Sequence, residues 1–146
     1  MSNPTAKTVS IGQLITGKVA AIPGAGCAVF DLVPEFDLHQ VNELKIIIAP
    51  QSFSRGNSGA ASRETPDAVI KINIAVMKKC GSKADIPDLL LLTEQIATGI
   101  ERKTVSDSDS TGLVIAVEFD PLYDADAFMS TKVFIAVCTT TVKVIR

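Results

Sequence analysis

This chain has no tryptophan, one tyrosine, one histidine and three cysteines in 146 residues. With large rings so scarce, its core must be aliphatic, and hydrophobic residues make up 47% of the sequence to supply one. Cys27, Cys80 and Cys138 stand far apart with no CxxC pair, and the only imidazole, His39, lies in a turn-like DLHQ segment. Structural zinc takes four convergent ligands and a disulfide framework takes paired cysteines, so neither is expected. Reduced thiols made in a cytoplasm are what remains. The apolar runs stop well short of the roughly 20 residues that a membrane helix needs, and MSNPTAKTVS lacks the apolar stretch of a secretion signal. No membrane partner is expected. A formal charge of −2 removes any global argument for nucleic acid or an anionic surface.

Signatures of catalysis are missing as well. Gly56-Asn-Ser-Gly59 lacks the lysine of a phosphate loop, and Gly24-Ala-Gly26 follows a helical pattern rather than a strand. There is no GxSxG, and a Cys–His or Ser–His pair would have to use His39, which reads as a solvated turn residue. Asp107 and Asp109, and then Asp120, Asp124 and Asp126, form two acidic groups without the closing Glu of a calcium loop. Turn formation explains them, because Asp bonds to its own backbone in turns. The expectation is a protein that is not an enzyme, with no catalytic residue, no metal and no cofactor.

What the chain does have is periodicity. In residues 85–103, DIPDLLLLTEQIATGIERK, Leu89, Leu92, Ile96 and Ile100 recur at helical steps, with Leu90 and Leu91 broadening the stripe. Asp85 is the expected N-cap, Pro87 suits the first turn, and Arg102 and Lys103 suit the last. Each stripe residue contributes about 1.5–3 kcal/mol if fully buried, before ordering entropy is subtracted. An earlier helix is predicted over 9–21, capped by Thr8 or Ser10 and ended by Pro23 and Gly24. Strands are predicted over 28–37, 44–49, 68–78, 113–119 and 131–145. In the third, Ile70, Ile72, Ile74 and Val76 share one face. Pro50 is expected to stop the second strand, and the length of the last implies a bulge or bend. Residues 104–111 read as a polar loop and 120–129 as a broad turn.

The result is α+β: a mostly antiparallel twisted sheet of about five strands, two helices on one face, order α-β-β-β-α-β-β. Residues 1–8 form a polar arm and 9–146 a single domain, long enough to fold without staples. Residues 51–67, QSFSRGNSGAASRETPD, make an unusually long connection carrying Phe53, Arg55 and Arg63. These three are the candidate contact residues. Lys71, Lys78, Lys79 and Lys83 gather loosely around one strand and its exit, without interleaved aromatics, and suit a solvated face or a charged subunit contact.

The phrases KIIIAP (45–50), VIKINIAVMKK (69–79), LLLLTEQIATGIERK (89–103) and VEFDPLYDADAF (117–128), followed by a β-rich C-terminus, resemble those of one family. It is that of the tail terminator and tail-completion proteins of long-tailed bacteriophages, and the likeness of pattern runs from about residue 9 to 146. The resemblance implies a structural virion protein, assembled in the host cytoplasm and located in the tail or neck. There it would cap the tail tube as a homo-oligomeric ring, most often a hexamer, and join tail to head. Implied partners are the tail tube protein, head connector or neck proteins, and DNA passing through the lumen without sequence specificity. A C-terminal strand at the sheet edge would pair between neighbours. The same pattern suits another ring-forming neck or head-completion subunit. A small ligand-binding α+β domain is the alternative from a different class.

Overall fold

The computed structural model describes residues 6–32, 43–56, 67–106, 111–119 and 122–145, with only the backbone considered at Arg55, Asp67 and Ile145. In chain order the elements are α1 (Lys7–Ala20), β1 (Ala28–Phe30), β2 (Lys45–Gly56) and β3 (Asp67–Lys79). A 3₁₀ turn (Lys83–Asp85) leads into α2 (Ile86–Ile100), and β4 (Thr104–Ser106), β5 (Thr111–Phe119), α3 (Ala125–Thr131) and β6 (Val133–Ile145) complete the chain. The strands form one sheet in the order β1-β2-β3-β6-β5-β4. Only β1 and β2 pair in parallel; every other neighbour is antiparallel.

Alternation along the three long strands makes the two faces unlike. On one face lie Ile46, Ile48, Ile70, Ile72, Ile74, Val76, Ala136, Cys138, Val142 and Val144, all buried. Ile11, Ile15 and Val19 of α1 and Leu89, Leu92, Ile96 and Ile100 of α2 close over them in a single core. α3 adds Phe128 to the same core, and Tyr123 stacks on Phe134 with ring centroids 5.5 Å apart. Among the described residues only one large ring, that of Phe134, is wholly buried, so the core is aliphatic as the composition demands. Three glycines admit close approaches, one of them Gly99 of α2, where a Cβ would lie 2.7 Å from Ile22. A Cβ on Gly12 of α1 would lie 2.2 Å from the Phe30 ring of β1, and one on Gly112 of β5 would lie 2.6 Å from Val142.

The α+β class holds, as do α2 and β3 within a few residues, and mostly antiparallel pairing with α1 and α2 on one face. The count does not: the described residues form six strands and three helices, in the order α-β-β-β-α-β-β-α-β. The added strand is β4, at the start of the predicted loop 104–111. The added helix is α3, inside the predicted turn 120–129, where the Asp124 carboxylate accepts the Ala127 amide at 3.0 Å. The predicted first strand 28–37 is described only as the three residues of β1, and 33–42 lie outside the described residues. Helix α1 begins at Lys7, inside the expected arm, and neither Thr8 nor Ser10 caps it. Asp85 acts one turn earlier than expected. Its carboxylate accepts the amides of Gly81 (2.9 Å) and Ser82 (3.3 Å), while the Ser82 hydroxyl accepts that of Ala84 (3.2 Å).

Two further corrections concern edges. The C-terminal strand β6 is central, between β3 and β5, and its register against β3 is unbroken from Val133 to Val144. It needs no bulge, and from Cys138 to Val144 both of its edges are paired. The bulges fall on other strands, at Gln51 in β2 and Ile115 in β5. Pro50 does not stop β2. β1 pairs only with Ile46–Ile48 of β2, so at Pro50 the outer side of β2 has no strand partner among the described residues, and a missing donor breaks no ladder there.

Candidate interaction surfaces

The distal half of β2 is the first surface. From Ser52 to Gly56 it pairs with Lys71 to Asp67 of β3, and no described strand covers its other edge. The bulge at Gln51 shifts the alternation by one residue. Phe53 therefore shares the helix-side row with Ile70, while Ser52 and Ser54 take the other side. Phe53 stands at the margin of that layer and is 47% exposed. Of the three sequence candidates, Phe53 and Arg55 thus sit two residues apart on one strand. Arg63 lies outside the described residues, within 57–66, so the structure does not bring it to the other two. The predicted loop 51–67 is shortened at its start by the six residues of β2 that follow Pro50.

The second surface is the face of the sheet opposite the helices. Row by row it presents Lys45, Met77 and Ile135; Ile47, Ala75 and Val137; Ala49, Asn73, Thr139 and Glu118; Ser52, Lys71, Thr141 and Ala116. Ile47, Met77 and Val133 make a small buried cluster at one end, flanked by Ala75 and Ile135. Elsewhere this face is threonine-rich, with the Thr139 hydroxyl 3.5 Å from the Asn73 amide oxygen, and Val137 is 42% exposed. No described helix contributes to the cluster on this side.

The third surface is the outer side of α2, where Asp88, Leu91, Glu94, Gln95 and Thr98 are all exposed. Leu91, expected to widen the buried stripe, is 53% exposed. It borders an open groove of about 480 Å³ with Ile22, Pro23, Glu94, Gln95, Thr98 and Gly99. The hint was present in the sequence: four consecutive leucines span more of a helix circumference than one sheet can cover.

Among the described residues no cluster of three or more His, Cys, Asp or Glu is placed to hold a metal. No described helix is long and apolar enough to cross a membrane. Cys27 is exposed, whereas Cys80 and Cys138 are buried. Burial pushes the Cys138 thiol above its ordinary value, against the opposing effect of Thr140, whose hydroxyl is 3.5 Å from the sulfur. Cys80 is raised too, first by burial and then by the nearby Asp85 carboxylate.

No protein-family model matches the sequence, and no curated protein matches it. The fold does have a counterpart among solved structures. A chain in the virion of a native gene transfer agent particle superposes with a TM-score of 0.63 at 12% identity, over 97% of this chain and 98% of that one. At this identity the likeness is one of fold, and it extends over nearly the whole of both chains. A second solved chain, matched over 99% and 98% at 9% identity, has a TM-score of 0.48, too loose to carry an argument.

Proposed function

We propose that this protein is a structural component of a phage-like virion, a ring subunit that closes the end of a tail tube and joins it to the head. The observation that supports this most is the full-length fold match to a chain of a gene transfer agent virion, with almost no residues left over on either side. The architecture is compatible. A layer of helices on a sheet, with a strand edge that no described strand covers, suits a subunit whose work is contact rather than turnover. On this reading the partners are further copies in a ring of about six subunits, the tube protein below and the neck proteins above, with DNA passing through the lumen. On this reading Phe53 and Arg55, on the margin of β2 that no described strand covers, would meet a neighbour, and Arg63 belongs with them by sequence. The same fold also suits a neck or head-completion ring.

Native mass spectrometry with negative-stain microscopy, over a wide concentration range and then with purified tails, tests the reading. Closed rings, alone or on tube ends, are the expected result. A protein that stays monomeric and leaves tails unbound would remove the tail-joining role. Rings that bind connectors but not tails would favour the neck subunit.

A further inference from the structure

The sheet face away from the helices and the exposed side of α2 carry opposite charge. On the sheet face away from the helices, among the residues whose side chains are described, Lys45, Lys71, Lys79 and Lys143 stand in the paired rows of β2, β3 and β6, and Glu118 of β5 is the acidic one. Over the length of α2 the only charged residues are Asp88 and Glu94, both acidic and both exposed. Each surface also exposes an aliphatic side chain close to its charges: Val137 on the sheet and Leu91 on the helix, beside the groove bordered by Ile22 and Pro23. These surfaces lie on opposite sides of one chain, so neither can be satisfied by the other within the same copy.

Resting on the ring reading above, we infer that the lysine-bearing sheet face of one copy docks on the outer side of α2 of the next. Lys71 and its neighbours then lie against Asp88 and Glu94, and Val137 meets the apolar groove around Leu91. The contact is heterologous, each copy giving one surface and receiving on the other, which is the arrangement that rotation closes into a ring. Opposite potentials set the direction of stacking and reject the two like-charged pairings, sheet on sheet and helix on helix. The exposed Val137 and Leu91 supply apolar burial at the centre, where a few residues dominate binding.

Charge reversal tests this on the full-length protein. Lys71→Glu with Lys79→Glu alters only the sheet face, and Asp88→Lys with Glu94→Lys alters only the helix. Each pair should raise the concentration needed for ring formation tenfold or more, while circular dichroism and the urea midpoint show an intact fold. All four changes together restore complementarity, with its sign inverted, and rings should return. Raising the salt concentration should loosen wild-type rings, because exposed pairs are screened. Folded double variants that assemble like the wild type would overturn the contact, as would a folded quadruple variant that fails to recover. If the sheet-face variant keeps its rings but loses binding to duplex DNA, that face belongs to DNA and the contact is also overturned. In all these cases the wild type still forms rings. Failure of the wild type itself to assemble, alone or on tails, would instead strike the ring reading.

Discussion

Gly12 and Gly17 lie on the same helix and should respond in opposite directions to one methyl group. Beside Gly17 there is nothing within 4 Å, so Gly17→Ala in the interior of α1 should raise stability by about 0.5–1 kcal/mol. At Gly12 the new Cβ would overlap the Phe30 ring at 2.2 Å, and the strain of overpacking, about 1–3 kcal/mol, outweighs the same gain in propensity. Urea midpoints of the two variants should therefore move apart. The cysteines divide in the same residue-by-residue way. Cys27 is exposed and should react with a thiol reagent at once, while Cys80 and Cys138 wait for unfolding. The raised thiol of Cys138 has a consequence for pH. Folding holds it protonated, so stability from this source is complete below the ordinary thiol range, near the reference value of 9.0, and is lost as pH rises through it toward the folded value. Denaturation between pH 8 and 10 should show this decline, and Cys138→Ala should flatten it while lowering stability throughout. The sequence announced none of this division, because burial of a lone thiol depends on which strand ends up central.

Helix α3 is the element most exposed to a single substitution. It has seven residues, too few to persist without its docking, and its N-terminus depends on the bond from the Ala127 amide to the Asp124 carboxylate. Asp124→Ala should cost about 0.5–2 kcal/mol, with loss of amide protection concentrated in 125–131. Ile96→Ala in α2, by contrast, removes a wholly buried side chain and should cost about 2–5 kcal/mol, read as a global shift of the urea midpoint. The difference in reach matches what the sequence showed of each element. In α2 and β3 the apolar period persists for ten residues or more and allows one reading only. The signal for α3 was an Asp-rich stretch that serves equally well for a turn. β2 was misread at Pro50 because proline ends a strand only where its amide is wanted, and that depends on whether a neighbour lies alongside. Local sequence carries no record of the neighbour.

For the molecule as a whole, strand order was the part least visible in the chain. Nothing in TKVFIAVCTTTVKVIR says that it pairs with β3, far back in the sequence, as well as with the preceding β5, yet this placement decides where the sheet can meet another copy. With β6 inside the sheet, one margin that no described strand covers is the distal half of β2, where Phe53 is the exposed large apolar side chain. Two variants separate fold from assembly there. Ile70 sits directly across from Phe53 in the ladder and is wholly buried, so Ile70→Ala should cost about 2–5 kcal/mol of stability and affect assembly only through the fold. Phe53 is half exposed, and Phe53→Ser should cost little stability. If it anchors a subunit contact, losing it weakens that contact by more than about 1 kcal/mol, roughly fivefold or more in the dissociation constant at each interface of the ring. The check is sedimentation of both variants across the range where wild-type rings form, alongside urea denaturation of each. A Phe53→Ser protein with an unchanged midpoint and a raised assembly threshold places the margin of β2 at the subunit boundary. An unchanged threshold takes Phe53 out of the contact and leaves ring closure to the charged faces of the sheet and α2.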